Sequence, residues 1–295
     1  MVRTVHRWLG LASGTVVFVV ALTGALYAFA PEITELYLHR HARVPPPGGA
    51  RPLAASALVQ GAETAVQRAA GPLPAGTARW LTLFAEPDRS AIYTVAPAGA
   101  SGWYEAYVDP YRGEVLIVRD MLWDPIGVIL RAHQSLLLPA AVGRRIVGLA
   151  VLAFVPSLLT GLFPWFPRRP AEIVRTSALR QRLTIDLRGR PFRVTYDLHR
   201  VLGGYALVVT LTLALTGLTW SFAWMDRAVY WVATGGQAPA ERAGWKSAPP
   251  AAGTLTYDIH VGRIAGLGGR VAAFLASLVA ASLPVTGALI WWNRR

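Results

Sequence analysis

Four long apolar stretches dominate the chain, at residues 8–30, 146–166, 201–224 and 271–292. Each reaches the roughly 20 residues that a helix needs to cross about 30 Å of hydrocarbon. None carries Asp, Glu, Lys or Arg in its interior, so none has the polar face of a helix on a soluble core. Four membrane-spanning helices are expected. The first ends in Ala28-Phe29-Ala30, which looks like a leader cleavage site. Its apolar stretch is longer than the roughly 7–15 residues of a leader, and it recurs in the third stretch, so it is read as a retained span.

Elsewhere the pattern changes. Residues 52–69 read as a helix, and runs at 79–85, 90–95, 103–108 and 114–118 read as strands. The last two are joined by Asp109-Pro110-Tyr111-Arg112-Gly113, whose residues suit a hairpin turn. Pro45-Pro46-Pro47-Gly48-Gly49 reads as a stiff linker. A second hairpin is expected from Leu183 to Leu187 and from Phe192 to Tyr196, about Gly189. The expected organisation is span one at 1–30, an α+β domain with its return segment at 31–142, and span two at 143–167. A basic loop follows at 168–199, then span three at 200–225, a second loop at 226–269, and span four with the chain end at 270–295.

Composition agrees. Hydrophobic residues are 54% of 295 and charged residues 15%, well short of the about 25% charged residues of soluble domains. The net charge of +13 would suit nucleic acid only if it formed one face, and instead it flanks apolar spans. Residues 168–200 hold nine arginines, with Arg3 and Arg7 near the start and Arg294-Arg295 at the end. The positive-inside rule places these on the cytoplasmic side of a bacterial inner membrane, with both termini inside and the α+β domain periplasmic. No partner nucleic acid is expected; the bilayer is.

The chain has no cysteine. That excludes disulfides, thiolate metal sites, iron–sulfur clusters and covalently attached c-type haem. No dinucleotide fingerprint, P-loop, nucleophile elbow or paired-carboxylate site stands out, and no catalytic residue is singled out.

An internal repeat carries the chemistry. His6-Arg7-x-Leu9-Gly10 reappears 193 positions later as His199-Arg200-x-Leu202-Gly203, and Ala21-Leu22-Thr23-Gly24 as Ala214-Leu215-Thr216-Gly217. Spans two and four match at an offset of 126, through Gly143-Arg144 with Gly269-Arg270 and Thr160-Gly161 with Thr286-Gly287. The expected fold is therefore an integral membrane all-α four-helix bundle of two parallel helix-pair repeats, with an inserted α+β domain. A pseudo-twofold axis along the membrane normal would bring His6 to His199 near one surface, and His133 to His260, equivalent when a one-residue gap is allowed, near the other. Opposed neutral imidazoles suit the axial positions of a b-type haem iron, so two haem b groups are expected. Zinc or copper fits less well, because neither pair is joined by a carboxylate or thiolate. Arg7, Arg200, Arg144, Arg263 and Arg270 are candidates for bidentate contacts to haem propionates. The Thr-Gly pairs read as close helix packing, the tryptophans near the span boundaries, such as Trp8, Trp220 and Trp291, as interfacial belts, and His39 and His41 as surface residues.

At these residues the sequence resembles the PepSY-associated transmembrane family of iron-regulated membrane proteins and ferric-siderophore reductases. The likeness runs through His6 to Gly10, Leu22-Thr23-Gly24 and Val108 to Val115. It continues through His133 to Leu137, Gly143-Arg144, Leu159 to Leu162, Trp165 to Arg169 and Asp197 to Arg200. It closes with His260-x-Gly262-Arg263, Gly269-Arg270 and Thr286 to Arg295. The resemblance implies a periplasmic PepSY-like domain and a di-haem oxidoreductase that passes electrons to a ferric siderophore or other ferric chelate. A membrane quinol or a cytoplasmic flavoprotein is the expected donor, and the sequence leaves the choice between them open. Two other readings stay open: a non-enzymatic, membrane-anchored peptide- or protein-binding module, and a haem-bearing subunit of another redox complex.

Overall fold

The computed structural model describes residues 1–46, 48–100, 102–163, 183–233, 235–236 and 250–294. The chain folds as two compact units, residues 29–130 and residues 1–28 with 131–295.

The first of these is the inserted α+β domain. After helices α1 (Val2–Tyr27) and α2 (Ala30–Ala42) comes α3 (Ala55–Ala70), then strands β1 (Ala78–Thr82), β2 (Ala91–Ala96), β3 (Tyr104–Val108) and β4 (Val115–Asp120). The strands form one antiparallel meander in the order β1-β2-β3-β4. Alternation along the strands explains its two faces. Ala91, Tyr93 and Val95 of β2 join Ala106 and Val108 of β3 against Leu58, Ala62 and Val66 of α3. The intervening Ile92 and Tyr107 turn to the other face, where Leu38 and Ala42 of α2 pack. The Asp109 turn forms as the sequence suggests. Its carboxylate accepts the amides of Tyr111 and Arg112 at 2.8 and 3.1 Å, and Gly113 takes φ +73°, a region that favours glycine.

The second unit holds the four apolar helices: α1, α5 (Ala140–Gly161), α6 (Pro191–Ser221) and α9 (Gly266–Trp292). All four are long and apolar enough to span a bilayer, so the chain is a multi-pass membrane protein. Three shorter helices belong with them: α4 (Pro125–Ser135), which begins in the α+β domain, α7 (Ala223–Ala233) and α8 (Pro250–His260). In the bundle α1 and α6 each pack against both α5 and α9, which makes α1 and α6 diagonal neighbours. Small residues let these helices close up; a Cβ at Gly14 of α1 would stand 3.1 Å from Pro284 of α9.

The second hairpin expected from the sequence does not form. Residues 192–196 belong to α6, which Pro191 opens from the first helical turn, where its missing N–H costs nothing. Arg193 then pairs with Asp197 one turn on, at 2.9 Å, and the helical period continues into the apolar stretch. Trp165 to Arg169 and the remainder of residues 164–182 lie outside the described residues.

Candidate functional site

Each of the four repeat-matched histidines sits on a helix, and each meets its partner across the bundle. His6 of α1 and His199 of α6 stand with ring centroids 6.1 Å apart and planes at 82°. His133 of α4 and His260 of α8 stand 6.1 Å apart with planes at 56°. The pairs occupy opposite ends of α1. His6 lies in its first turns, whereas the His133 ring faces Val20 and Gly24. At about 1.5 Å per residue, the 14 positions from residue 6 to residue 20 span about 21 Å of helix.

Every ring is seated through Nδ1 on a neighbouring helix. His6 Nδ1 donates to the Ser157 carbonyl of α5 at 2.9 Å, and Thr160 Oγ1 lies 3.3 Å away. His133 Nδ1 donates to the Val20 carbonyl of α1 at 2.8 Å. His199 Nδ1 lies 2.9 Å from Thr286 Oγ1 of α9 and also faces the Leu283 carbonyl. His260 Nδ1 lies 2.8 Å from Thr216 Oγ1 of α6 and faces the Leu213 carbonyl. The seats obey the sequence repeat, since Ser157 and Leu283 are 126 positions apart and Val20 and Leu213 are 193 apart. The glycine after each threonine completes the seat. A Cβ at Gly161, Gly24, Gly287 or Gly217 would lie 3.2, 2.9, 3.4 or 3.2 Å from Cε1 of His6, His133, His199 or His260.

The Thr-Gly pairs, read from the sequence as packing, thus hold the histidines, through both residues at His6, His199 and His260 and through Gly24 alone at His133. The signal was present, because the offset of 193 that aligns His6 with His199 also aligns Thr23-Gly24 with Thr216-Gly217, and His133 and His260 depart by one residue from the offset of 126 that aligns Thr160-Gly161 with Thr286-Gly287. What the sequence lacked was the rotation of each helix that turns the pair toward an imidazole.

A cavity of about 670 Å³ surrounds His6 and His199, a volume typical of sites for small molecules and cofactors. Gly10 and Gly203 lie on its wall, as do Arg3, Arg7, Arg200 and Arg294. Arg3 and Arg294 were not among the sequence-derived candidates, having been read only as charges flanking a span. Arg200 gives a hydrogen bond to the buried Asp197 carboxylate at 3.1 Å, and Arg7 lies over the Trp8 ring at 5.4 Å.

The other three candidate arginines are less concentrated. Arg270 donates to the Ala28 carbonyl at the end of α1, at 3.1 and 2.8 Å. Arg263 pairs with Asp258 at 3.3 Å and its side chain is 61% exposed. Arg144 is exposed. Trp220, read as part of an aromatic belt, packs edge-on to His260 with centroids 5.0 Å apart. His39 and His41 belong to α2 of the α+β domain.

The donor set has a definite chemistry. In each pair Nδ1 is bound and, among the described residues, Nε2 has no hydrogen-bond partner, so Nε2 is the atom left to coordinate. Two metal–imidazole bonds of about 2.0 Å, with roughly 1.2 Å more from each nitrogen to its ring centre, separate centroids by about 6.4 Å, close to what both pairs show. Among the described residues no group of three or more His, Cys, Asp or Glu gathers in one place. A pair of imidazoles alone suits the two axial positions of a haem iron rather than a tetrahedral metal.

No curated protein matches the chain. The family model for the PepSY-associated TM region does match, over residues 3–294, and the chain accordingly belongs to that family.

Proposed function

We propose that the chain is a di-haem b oxidoreductase of the bacterial inner membrane that moves electrons outward to a periplasmic ferric chelate, such as a ferric siderophore, and so releases iron as Fe(II). The observation that carries this reading is the pair of histidine pairs, each with ring centroids 6.1 Å apart, at opposite ends of one apolar bundle. When bound, a haem at each pair supplies a one-electron Fe(III)/Fe(II) couple near each membrane surface.

The chain's residues then have distinct tasks. His6 and His199 would hold one iron, and His133 and His260 the other. Nδ1 of each ring, given to an acceptor on the next helix, fixes ring orientation and raises ligand basicity. Arg7 and Arg200 would take the propionates of the first group, helped by Arg3 and Arg294 on the same cavity wall. Arg144, Arg263 and Arg270 would serve the second. The apolar helices keep water and protons out of the interval between the pairs. The fold behind this is two parallel helix-pair repeats, α1 with α5 and α6 with α9.

Orientation rests on charge. With the nine arginines of residues 168–200 facing the cytoplasm, the His6/His199 end is internal and the α+β domain, PepSY-like in character, is periplasmic. The donor is then a membrane quinol or a cytoplasmic flavoprotein. An anionic ferric chelate suits the arginines at the outer end, Arg131, Arg144, Arg145 and Arg263.

The deciding experiment is the visible spectrum of the detergent-purified protein, oxidised and dithionite-reduced, with a haem-to-protein ratio. Two low-spin b-type haems per chain are expected, followed by Fe(II) release from ferric siderophore when donor is supplied. A colourless protein, even after expression with haem, leaves a membrane-anchored binding module. Two haems without reduction of any ferric chelate make the chain a haem-bearing subunit of another complex.

A further inference from the structure

The two members of each histidine pair are held by different chemistry. His6 and His133 lean on backbone carbonyls, of Ser157 at 2.9 Å and Val20 at 2.8 Å. His199 and His260 instead lean on threonine hydroxyls, of Thr286 at 2.9 Å and Thr216 at 2.8 Å. A hydroxyl can donate or accept, so by itself it would not fix which nitrogen of the ring carries the proton.

Here the hydroxyl hydrogen is already committed. Thr216 Oγ1 donates back to the Thr212 carbonyl at 2.7 Å, with the Leu213 carbonyl at 3.1 Å. Thr286 Oγ1 donates to the Ser282 carbonyl at 2.9 Å, with Leu283 at 3.2 Å. With its one hydrogen used, each oxygen can present only lone pairs to the ring. Each ring also faces a backbone carbonyl, of Leu213 for His260 and of Leu283 for His199, which only accepts. A threonine oxygen that only accepts at Nδ1 requires a proton there. The neutral ring must then carry its lone pair on Nε2.

We infer that Thr216 and Thr286 are positioning residues, which fix His260 and His199 as Nδ1–H tautomers and aim Nε2 at the iron. This rests on the reading of the four histidines as axial ligands, and deepens it by naming the side chains that tune each site. One ligand of each iron is set by a backbone acceptor that no substitution removes. At the other a threonine joins the backbone carbonyl and can be changed, and the threonine's site is the handle on that iron alone.

The prediction for the first repeat is the contrast. Thr160 Oγ1 lies farther from its ring, 3.3 Å from His6 Nδ1, while the Ser157 carbonyl takes the shorter bond. Replacement of Thr160 should therefore matter less than replacement of Thr286, although the two occupy equivalent positions of the repeat.

The test uses full-length protein in detergent, with Thr216→Val, Thr216→Ser, Thr286→Val, Thr286→Ser and Thr160→Val. Each is made alone and in His6→Ala and His133→Ala backgrounds, which leave one haem apiece. Haem content, midpoint potential by spectroelectrochemical titration and low-spin electron paramagnetic resonance signals are recorded. Thr216→Val should shift the potential and resonance signal of the His133/His260 haem, weaken its retention roughly 10–100-fold, and leave the other haem unchanged. Thr286→Val should do the converse, serine should restore each, and Thr160→Val should be near wild type. Valine variants with wild-type potentials and haem contents overturn the inference. So does a serine variant that fails to restore, or a Thr216→Val protein that loses both haems, since that marks a general packing role. A colourless wild-type protein overturns the axial-ligand reading itself, and this inference with it, before any threonine variant is compared.

Discussion

His133 sits so close to Gly24 that a Cβ on that glycine would come within 2.9 Å of the imidazole Cε1 and 3.1 Å of Nδ1. The ring cannot simply swing aside, because Nδ1 is tied to the Val20 carbonyl at 2.8 Å. Gly24→Ala should therefore displace His133 and strip the haem proposed at the His133/His260 pair, leaving the other. Gly287→Ala offers a control on the same motif. Its Cβ would stand 3.4 Å from His199 Cε1, an ordinary contact, and both haems should remain. Haem-to-protein ratios of the two variants decide the matter.

The ligand assignments are separable in the same way. His6→Ala removes one ligand from the His6/His199 pair, and His133→Ala one from the other, with about 21 Å of helix between them. Each substitution should lower haem content from two to one per chain, and the double variant should be colourless. Retention of both haems in either single variant would remove that histidine from the site.

Much of this was readable beforehand, and the parts that were not share a cause. The four spans follow from runs of apolar residues with no charge inside them, and the sheet from strand-like runs about a recognisable turn. Both are local patterns. The meeting of His6 with His199, and of His133 with His260, followed from the repeat, which supplies symmetry without coordinates. By contrast, the role of Thr216 and Thr286 depends on which way α6 and α9 are rotated, and Thr-Gly serves equally well in plain helix packing. The strand expected at residues 192–196 failed for a related reason. Phe, Val, Thr and Tyr favour strands by themselves, but Pro191 as a helix start and a long apolar continuation outweigh local preference.

The Gly of each Gly-Arg pair predicts a different lesion. A Cβ at Gly143 would collide with the Ser135 carbonyl, and one at Gly269 with the Gly262 carbonyl. Ser135 ends α4 two residues after His133, and Gly262 lies two residues after His260, so each glycine accepts the chain returning from a histidine helix. Leu136 and Leu137 hold φ 55° and 61° in the first of these returns, where Gly262 takes 78° in the second. Gly143→Ala and Gly269→Ala should each cost about 1–3 kcal/mol through overpacking against rigid backbone. Thermal unfolding in detergent should show both losses. The haem at His133/His260 should be released at lower temperature than the haem at His6/His199.

In the α+β domain the strongest dependence should fall on Arg119, which is 5% exposed. Its guanidinium binds both oxygens of Asp124 at 2.6 and 3.0 Å, Glu105 at 3.0 Å, and the hydroxyls of Tyr107 and Tyr37 at 3.1 and 2.6 Å. Asp124 in turn accepts the Ile126 amide at 2.9 Å in the first turn of α4. Arg119→Ala leaves two carboxylates without their cation and should destabilise the domain by about 3–5 kcal/mol. Burial works against ionisation of Asp124, but the bonds from Arg119, Ile126 and Tyr37 overcome it and hold its pKa below the usual 3.8. Its contribution is therefore present above that value and lost as the pH falls through the lowered one. Tyr37 moves the other way. Burial, with the Asp124 carboxylate beside it, raises its pKa from 10.0 to about 12, so its contribution holds below pH 10 and disappears as the pH rises toward 12. Hydrogen exchange of residues 29–130 in the full-length protein should show a broad stable plateau with losses at both extremes. In Arg119→Ala the acid loss should shrink or reverse, since without the guanidinium burial alone acts on Asp124 and favours the protonated carboxyl.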